Sequence, residues 1–237
     1  MKEKHKYHIR DYLNIVIFCC VFLCFAVASI IGIVGVCKGE LQANKLVYRL
    51  LLTLVMCLPY VLKKIFRFKI STLATSIIYF YIFLAGFLGV VLEFYSRLAW
   101  WDIVIHFLMG LLLAVFSIYI LNVTVYKKDT SKHNLIFTGL FMIMFALAVG
   151  AVWEICEFAV DGIFNTSFQR YITYGGIMLN GRSALYDTML DILMDFAGAI
   201  AGVSIVVLIQ SYYSQFLKTF KIKKLKKLEE EIEGIEE

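Results

Sequence analysis

The chain has 237 residues, of which 61% are hydrophobic and only 17% charged, with a formal net charge of +5. An average soluble domain is about 45–50% apolar and about 25% charged, and neither one core nor a water-facing surface accommodates that excess. A soluble enzyme, a disordered chain and a secreted disulfide scaffold are therefore excluded as readings, and a single proline argues against a loop-rich all-β fold.

A bilayer-crossing helix needs about 20 mostly apolar residues. The sequence predicts six of them, in one all-α polytopic membrane bundle covering residues 1–215. The first runs from Tyr12 to Val36. It contains Ala26-Val27-Ala28, which resembles a processing site, but apolar residues continue through Ile30, Ile31, Ile33 and Val36, too far for a cleaved signal. The second, Leu46 to Leu62, is short and contains Pro59. The others run from Leu73 to Tyr95, Ala99 to Leu121, Leu135 to Val160 and Ala184 to Leu208. Residues 216–237 turn abruptly charged, and Leu225, Leu228, Ile232 and Ile235 at helical spacing predict an amphipathic cytoplasmic tail. Its lysine-rich half suits anionic lipid.

Basic residues set the orientation. With the N-terminus in the cytoplasm, 17 of the 23 Lys and Arg fall inside, in clusters around Lys4, Lys63, Lys127 and Lys223. Lys38, Lys45, Arg49, Arg97, Arg170 and Arg182 fall outside. Both termini are expected in the cytoplasm, and the plasma membrane is the expected location. Cys19, Cys20, Cys24, Cys37, Cys57 and Cys156 mostly lie in apolar runs without Cys-x2-Cys spacing, so they read as small hydrophobes. No Arg- and aromatic-rich basic face points to nucleic acid; the expected partners are the bilayer and an envelope lipid or lipid-linked precursor.

The acids do not fit a bland membrane protein. Of eighteen Asp and Glu, eight lie in or at the edge of apolar helices: Glu93, Asp102, Glu154, Glu157, Asp161, Asp187, Asp191 and Asp195. Each costs roughly 2.5–3.5 kcal/mol at mid-bilayer on insertion scales. The alternating directions of the helices put all eight in the outer-leaflet half. Spacing sorts them onto faces. Asp102 and His106 are one turn apart, Glu154, Glu157 and Asp161 share a stripe, and Asp187, Asp191 and Asp195 repeat every fourth residue.

Such a stripe of like charges needs an offset. Arg97, Arg170 and Arg182 are too few for eight acids. The remaining offsets are raised carboxyl pKa values or a divalent cation, Mg²⁺, Mn²⁺ or Zn²⁺. The candidate ligands are Asp102, His106, Glu154, Glu157, Asp191 and Asp195, and Glu154 or His106 is the candidate general base. Glu93 reads as a solvated interfacial carboxylate. Asp161 and Asp187 read either as helix-end residues in water or, with Arg182, as substrate-binding groups. The loop from Gly162 to Ser183, rich in Gly and Tyr, is a candidate lid over the acids. Trp100, Trp101 and Trp153 read as interface anchors. Gly198-x3-Gly202 predicts close packing of the sixth helix against a neighbour.

Asp102-x3-His106, Trp153-Glu154-x2-Glu157 and Asp187-x3-Asp191-x3-Asp195-x2-Gly198 together resemble the VanZ-like superfamily, nearest the YjdF-like bacterial inner-membrane branch. The resemblance covers about residues 100 to 202. Ile103 and Glu157 stand where many VanZ-like proteins have Lys and Gln, so a role in glycopeptide resistance is not implied. What the resemblance implies is the helical architecture and the polar constellation.

Three functions remain open from the sequence. One is metal-assisted binding or processing of an envelope lipid or lipid-linked phosphate. Another is a cation- or proton-coupled transporter, which would need polar groups in the inner half as well. The last is a non-catalytic protein whose acids form a structural network.

Overall fold

Five helices are long and apolar enough to cross a membrane: Tyr12–Cys37, Ala74–Val91, Trp101–Leu121, Leu135–Phe164 and Tyr186–Leu208. They belong to a computed structural model that describes residues 2–57, 59, 61, 72–124, 134–173 and 175–208. The expected tail at 216–237 and the basic clusters around Lys63, Lys127 and Lys223 lie outside the described residues. The fold is all-α; the described residues carry no strand, only an isolated bridge between Ile172 and Met178. The chain divides into two compact units, Met1–Trp101 and Asp102–Glu237.

The first unit holds α1 (Lys2–Cys37), α2 (Ala43–Val55), α3 (Thr72–Ile82), a π-helical stretch (Phe83–Val91) and the single-turn α4 (Phe94–Arg97). The expected crossing from Leu46 to Leu62 corresponds to α2, whose 13 residues end in a turn at Met56 and Cys57. At 1.5 Å per residue that is about 20 Å, short of a ~30 Å hydrocarbon layer. Most of its continuation towards residue 62 is outside the described residues.

Aromatic packing forms the core of this unit. Phe25 is fully buried among Val21, Ala28, Met56, Tyr79, Ile82 and Val91. Its ring meets Phe87 edge-on at 5.6 Å, and Phe18 meets Tyr79 at 5.3 Å. Gly86 faces Phe25 and Leu52, where an added Cβ would lie 3.1 and 3.2 Å from them. Between helices, neutral polar contacts join Ser29 to Thr53 and Ser76 to Asn14, each 3.2 Å. Arg49 donates to the Ala28 carbonyl at 3.1 Å. Trp101 departs from the interface-anchor expectation: it is buried and stacks edge-on against Phe94 at 5.0 Å, whereas Trp100 is exposed.

The second unit is built on α5 (Trp101–Thr124), α6 (Leu135–Phe164) and α7 (Tyr186–Leu208). Asn134 caps α6, its side chain accepting from the amides of Ile136 and Phe137. Small residues set the helix spacing. A Cβ on Gly198 would fall on the Phe107 carbonyl, and one on Gly110 would fall on the Asp195 carbonyl. One on Gly202 would lie 3.1 Å from the Leu111 carbonyl. The Gly198-x3-Gly202 face is therefore the seam between α7 and α5. Ala114, Ala146 and Ala199, with Ile118 and Met142, continue it as a tightly packed core. Outside this seam the helices present large apolar side chains, among them Ile136, Ile155, Phe158 and Leu193, as a lipid-facing surface requires.

Candidate metal centre in the second unit

The acids of this unit sit at one end of its three helices: the start of α5, the end of α6 and the start of α7. Asp102 and His106 come from one face of α5, and Asp187, Asp191 and Asp195 from one face of α7. Because α5 and α7 are nearly in backbone contact at Gly110 and Gly198, these two faces meet with no lipid between them.

His106 is the centre of the arrangement. Its Nε2 lies 3.7 Å from Asp102 Oδ1 and 3.9 Å from Asp191 Oδ1, and its Nδ1 lies 3.5 Å from Asp195 Oδ2. Exposure is 4% for His106, 2% for Asp191 and 0% for Asp195. One ligand atom each from Asp102, His106 and Asp191 fall within 4.8 Å of one another. Around Mg²⁺ at about 2.1 Å, neighbouring ligands are about 3 Å apart. An inward shift of about 1 Å between His106 and each aspartate, and of at most about 2 Å between the two aspartates, would close the three around a cation.

Arg170 supplies the positive charge. Its guanidinium reaches Asp102 at 3.1 Å and Asp187 at 3.2 Å, bridging α5 and α7. Glu154 receives Gln169 Nε2 at 3.4 Å, and the same amide donates to Thr188 Oγ1 at 3.0 Å. Several buried atoms keep no hydrogen-bond partner: His106 Nδ1, Glu154 Oε1, Asp187 Oδ2 and both oxygens of Asp195. Such atoms are costly when unpaired, and His106 Nδ1 and Asp195 Oδ2 among them face each other at 3.5 Å.

The loop following α6 is organised by Asp161. Oδ1 accepts from Thr166 Oγ1 at 2.6 Å and from the Phe168 amide at 2.8 Å, and Oδ2 accepts from the Gln169 amide at 3.0 Å. With its acceptors used this way, Asp161 positions Gln169 and Arg170 over the acids. The helix runs to Phe164, four residues past the expected end, and stops where Asn165 takes a left-handed backbone. Arg170 is also left-handed, with φ 47°. The expected lid is thus a loop whose side chains reach the cluster. Tyr174 in that loop lies outside the described residues.

Other expected site residues lie apart from the group of three. Glu157 is half-buried and accepts from the exposed Trp153 indole at 2.9 Å. Arg182 is exposed on a 3₁₀ turn, Gly181–Ser183, ahead of α7. Glu93 belongs to the first unit, where Lys45 reaches it at 2.6 Å and Arg97 at 3.8 Å. Sequence reasoning missed Gln169, Thr188, Gly110 and Gly150. A signal for the glycines exists: Gly110 is one turn from His106 and Gly150 one turn from Glu154, on the same faces.

Helices of this length, with an acidic and histidine-containing group enclosed between them, define a polytopic membrane protein with a buried polar centre. The chain belongs to the family described as predicted membrane protein DUF2238, whose model matches residues 15–212. It is also similar to a protein of Thermotoga maritima described as uncharacterized, 29% identical over 150 residues, covering 62% of this chain and 69% of the other. No solved structure matches.

Proposed function

We propose that the second unit holds one divalent cation between Asp102, His106 and Asp191. In this reading the cation and Arg170 together receive a phosphate-bearing lipid headgroup at the outer face of the plasma membrane, with both termini cytoplasmic. The observation that carries the reading is the set of three buried ligand atoms within 4.8 Å of one another. The surrounding acids add support, because Glu154, Asp187 and Asp195 bring further carboxyl groups to the same helix ends, each with a buried oxygen that has no hydrogen-bond partner. Carboxylates with one imidazole suit Mg²⁺, Mn²⁺ or Zn²⁺, and Mg²⁺ commonly completes its shell with substrate phosphate.

Arg170 is the bidentate phosphate group of this reading, being partly accessible and of the right geometry. In this reading Arg182 and Asp187 contact the substrate on its way in, while Asp161 acts only through the loop it organises. Glu154 is the group that takes a proton from a substrate or water, since its Oε1 is buried without a partner. The resemblance to VanZ-like proteins rests on Asp102, His106, Glu154, Glu157, Asp187, Asp191 and Asp195, and agrees with treating these as one working group.

Metal analysis of the purified protein, with titration by Mg²⁺, Mn²⁺ and Zn²⁺, tests this. Wild type is expected to bind one ion and Asp191→Asn to lose saturable binding. Wild type without bound metal, and without binding on titration, overturns the reading. A second reading, a structural network, is favoured by the Arg170 bridge from Asp102 to Asp187. It expects Arg170→Gln to destabilise the protein by about 1–2 kcal/mol, the low end for a hydrogen-bonded charge because Arg170 is partly exposed. On the cation reading that loss is recovered by adding the ion; on the structural reading it is not.

A further inference from the structure

The two ring nitrogens of His106 face different partners. Nε2 is directed at Asp102 and Asp191, at 3.7 and 3.9 Å, within the group of three. Nδ1 is directed away from that group, at Asp195 Oδ2, 3.5 Å distant. Asp195 has no accessible surface, and neither of its oxygens nor Nδ1 has a hydrogen-bond partner. Asp191 and Asp195 are one helical turn apart on α7, so a single face of that helix addresses both nitrogens.

The space for the Asp195 carboxylate is made by glycine. A Cβ on Gly150 of α6 would fall on Asp195 Oδ2, and one on Gly110 of α5 would fall on the Asp195 carbonyl. Gly110 is one turn below His106 on the same face. The backbone contact at Gly110 therefore fixes where Asp195 stands relative to the imidazole, and Gly150 leaves room for its carboxylate.

We infer that Asp195 is a positioning residue: it accepts the Nδ1 proton of His106 and so presents a bare Nε2 to a cation held with Asp102 and Asp191. The inference rests on the cation reading above and deepens it, separating one carboxylate that orients from two that ligate. A histidine ligand whose far nitrogen is hydrogen-bonded to a carboxylate is fixed in tautomer and ring orientation, and losing that carboxylate usually weakens metal affinity 10–100-fold. The 3.5 Å gap tightens to a hydrogen bond as the ligands draw in.

The test is Zn²⁺ titration of the full chain in nanodiscs, with ¹⁵N-histidine NMR of the Zn²⁺-loaded protein. Wild type is expected to show His106 protonated at Nδ1 and metallated at Nε2. Asp195→Asn is expected to keep one-to-one binding with affinity lowered about 10–100-fold. Gly150→Ala is expected to do the same, because the methyl takes the place of the carboxylate oxygen. Gly139→Ala is the control on the same helix, its Cβ meeting only Val203 at an ordinary 3.5 Å; it is expected to match wild type. The assignment falls if Asp195→Asn and Gly150→Ala both bind Zn²⁺ as tightly as wild type, or if His106 is metallated at Nδ1. It also falls if Asp195→Asn, still folded, abolishes binding as completely as Asp191→Asn, since Asp195 is then itself a ligand. Wild type that binds no Zn²⁺, Mg²⁺ or Mn²⁺ overturns the cation reading and this assignment together.

Discussion

The two units solve one problem with different contacts. Lipid tails are as apolar as leucine, so helices in a membrane gain little from hiding apolar surface and associate through packing and polar contacts instead. In the first unit rings fill the space: Phe25, Phe87 and Tyr79 mesh, and the polar contacts among the described residues include the Ser29–Thr53 and Asn14–Ser76 bonds, Arg49 on a carbonyl and the exposed Lys45–Glu93 pair. In the second unit glycines let backbones touch at Gly110 and Gly198; His106 stands one turn from Gly110, Asp195 lies at the Gly110 contact itself, and Asp191 is one turn further along its helix. Close backbone approach shuts lipid out of the neighbouring turn, and that enclosed turn is where ionisable side chains are tolerated. Among its described side chains, the ring-packed first unit buries no Asp, Glu or His.

The strongest way to break this contrast is at Gly110. Alanine there sets a methyl on the Asp195 carbonyl, which α7 relieves only by moving away. The expected loss is about 3 kcal/mol, at the upper end for overpacking, read from unfolding in a bilayer mimetic. Gly139→Ala, with no such clash, is expected to cost a few tenths of a kcal/mol at most. Equal stabilities for the two variants would mean that the glycine seam does not hold the second unit together.

Phe25→Ala is the matching test of the first unit. In water, truncating a buried Phe costs about 3–5 kcal/mol, transfer and cavity together. If Phe25 stays in the membrane on unfolding, only the cavity part applies, about 2 kcal/mol for a ring-sized void at ~24 cal/mol per Å³. A loss of the full aqueous size would show that this core, too, depends on exclusion of water.

Much of this was readable from spacing alone. The i, i+4 repeats of Asp102–His106 and Asp187–Asp191–Asp195 define faces whatever the tertiary fold, and helix direction sends them to one end. Gly198-x3-Gly202 likewise announced its seam. Pairing was not readable. That α7 presents Asp191 to Nε2 and Asp195 to Nδ1 depends on the depth at which α5 and α7 cross, which Gly110 sets. The loop contacts were hidden for another reason: Gln169 and Arg170 have no periodicity, and Asp161 fixes their position through backbone amides that any sequence supplies. The short α2 marks a further limit, because hydropathy measures how apolar a run is and not where its helix turns.

The smallest expected effect concerns the acid that stands apart. Glu93 has a left-handed backbone, φ 62°, between the π-helical stretch and α4. Lys45 donates to it and, with smaller contributions from Arg97 and Arg49, holds its carboxyl below the usual value of 4.5. A group so shifted binds fewer protons folded than unfolded in this range. Its pair therefore stabilises the fold fully above that usual value, and the contribution is lost as pH falls through the lowered one. Glu93→Gln is expected to be less stable than wild type near neutrality by only a few tenths of a kcal/mol, since the pair is exposed. The difference should vanish in acid and shrink in high salt, where exposed charges are screened. Gln is the informative replacement, because Gly would also relieve the left-handed backbone. Arg170→Gln in the second unit should keep more of its effect at the same salt, because its partners Asp102 and Asp187 are more enclosed than Glu93. Equal salt sensitivity of the two would mean that the acids of the second unit are as open to water as Glu93, and that the glycine seam does not enclose them.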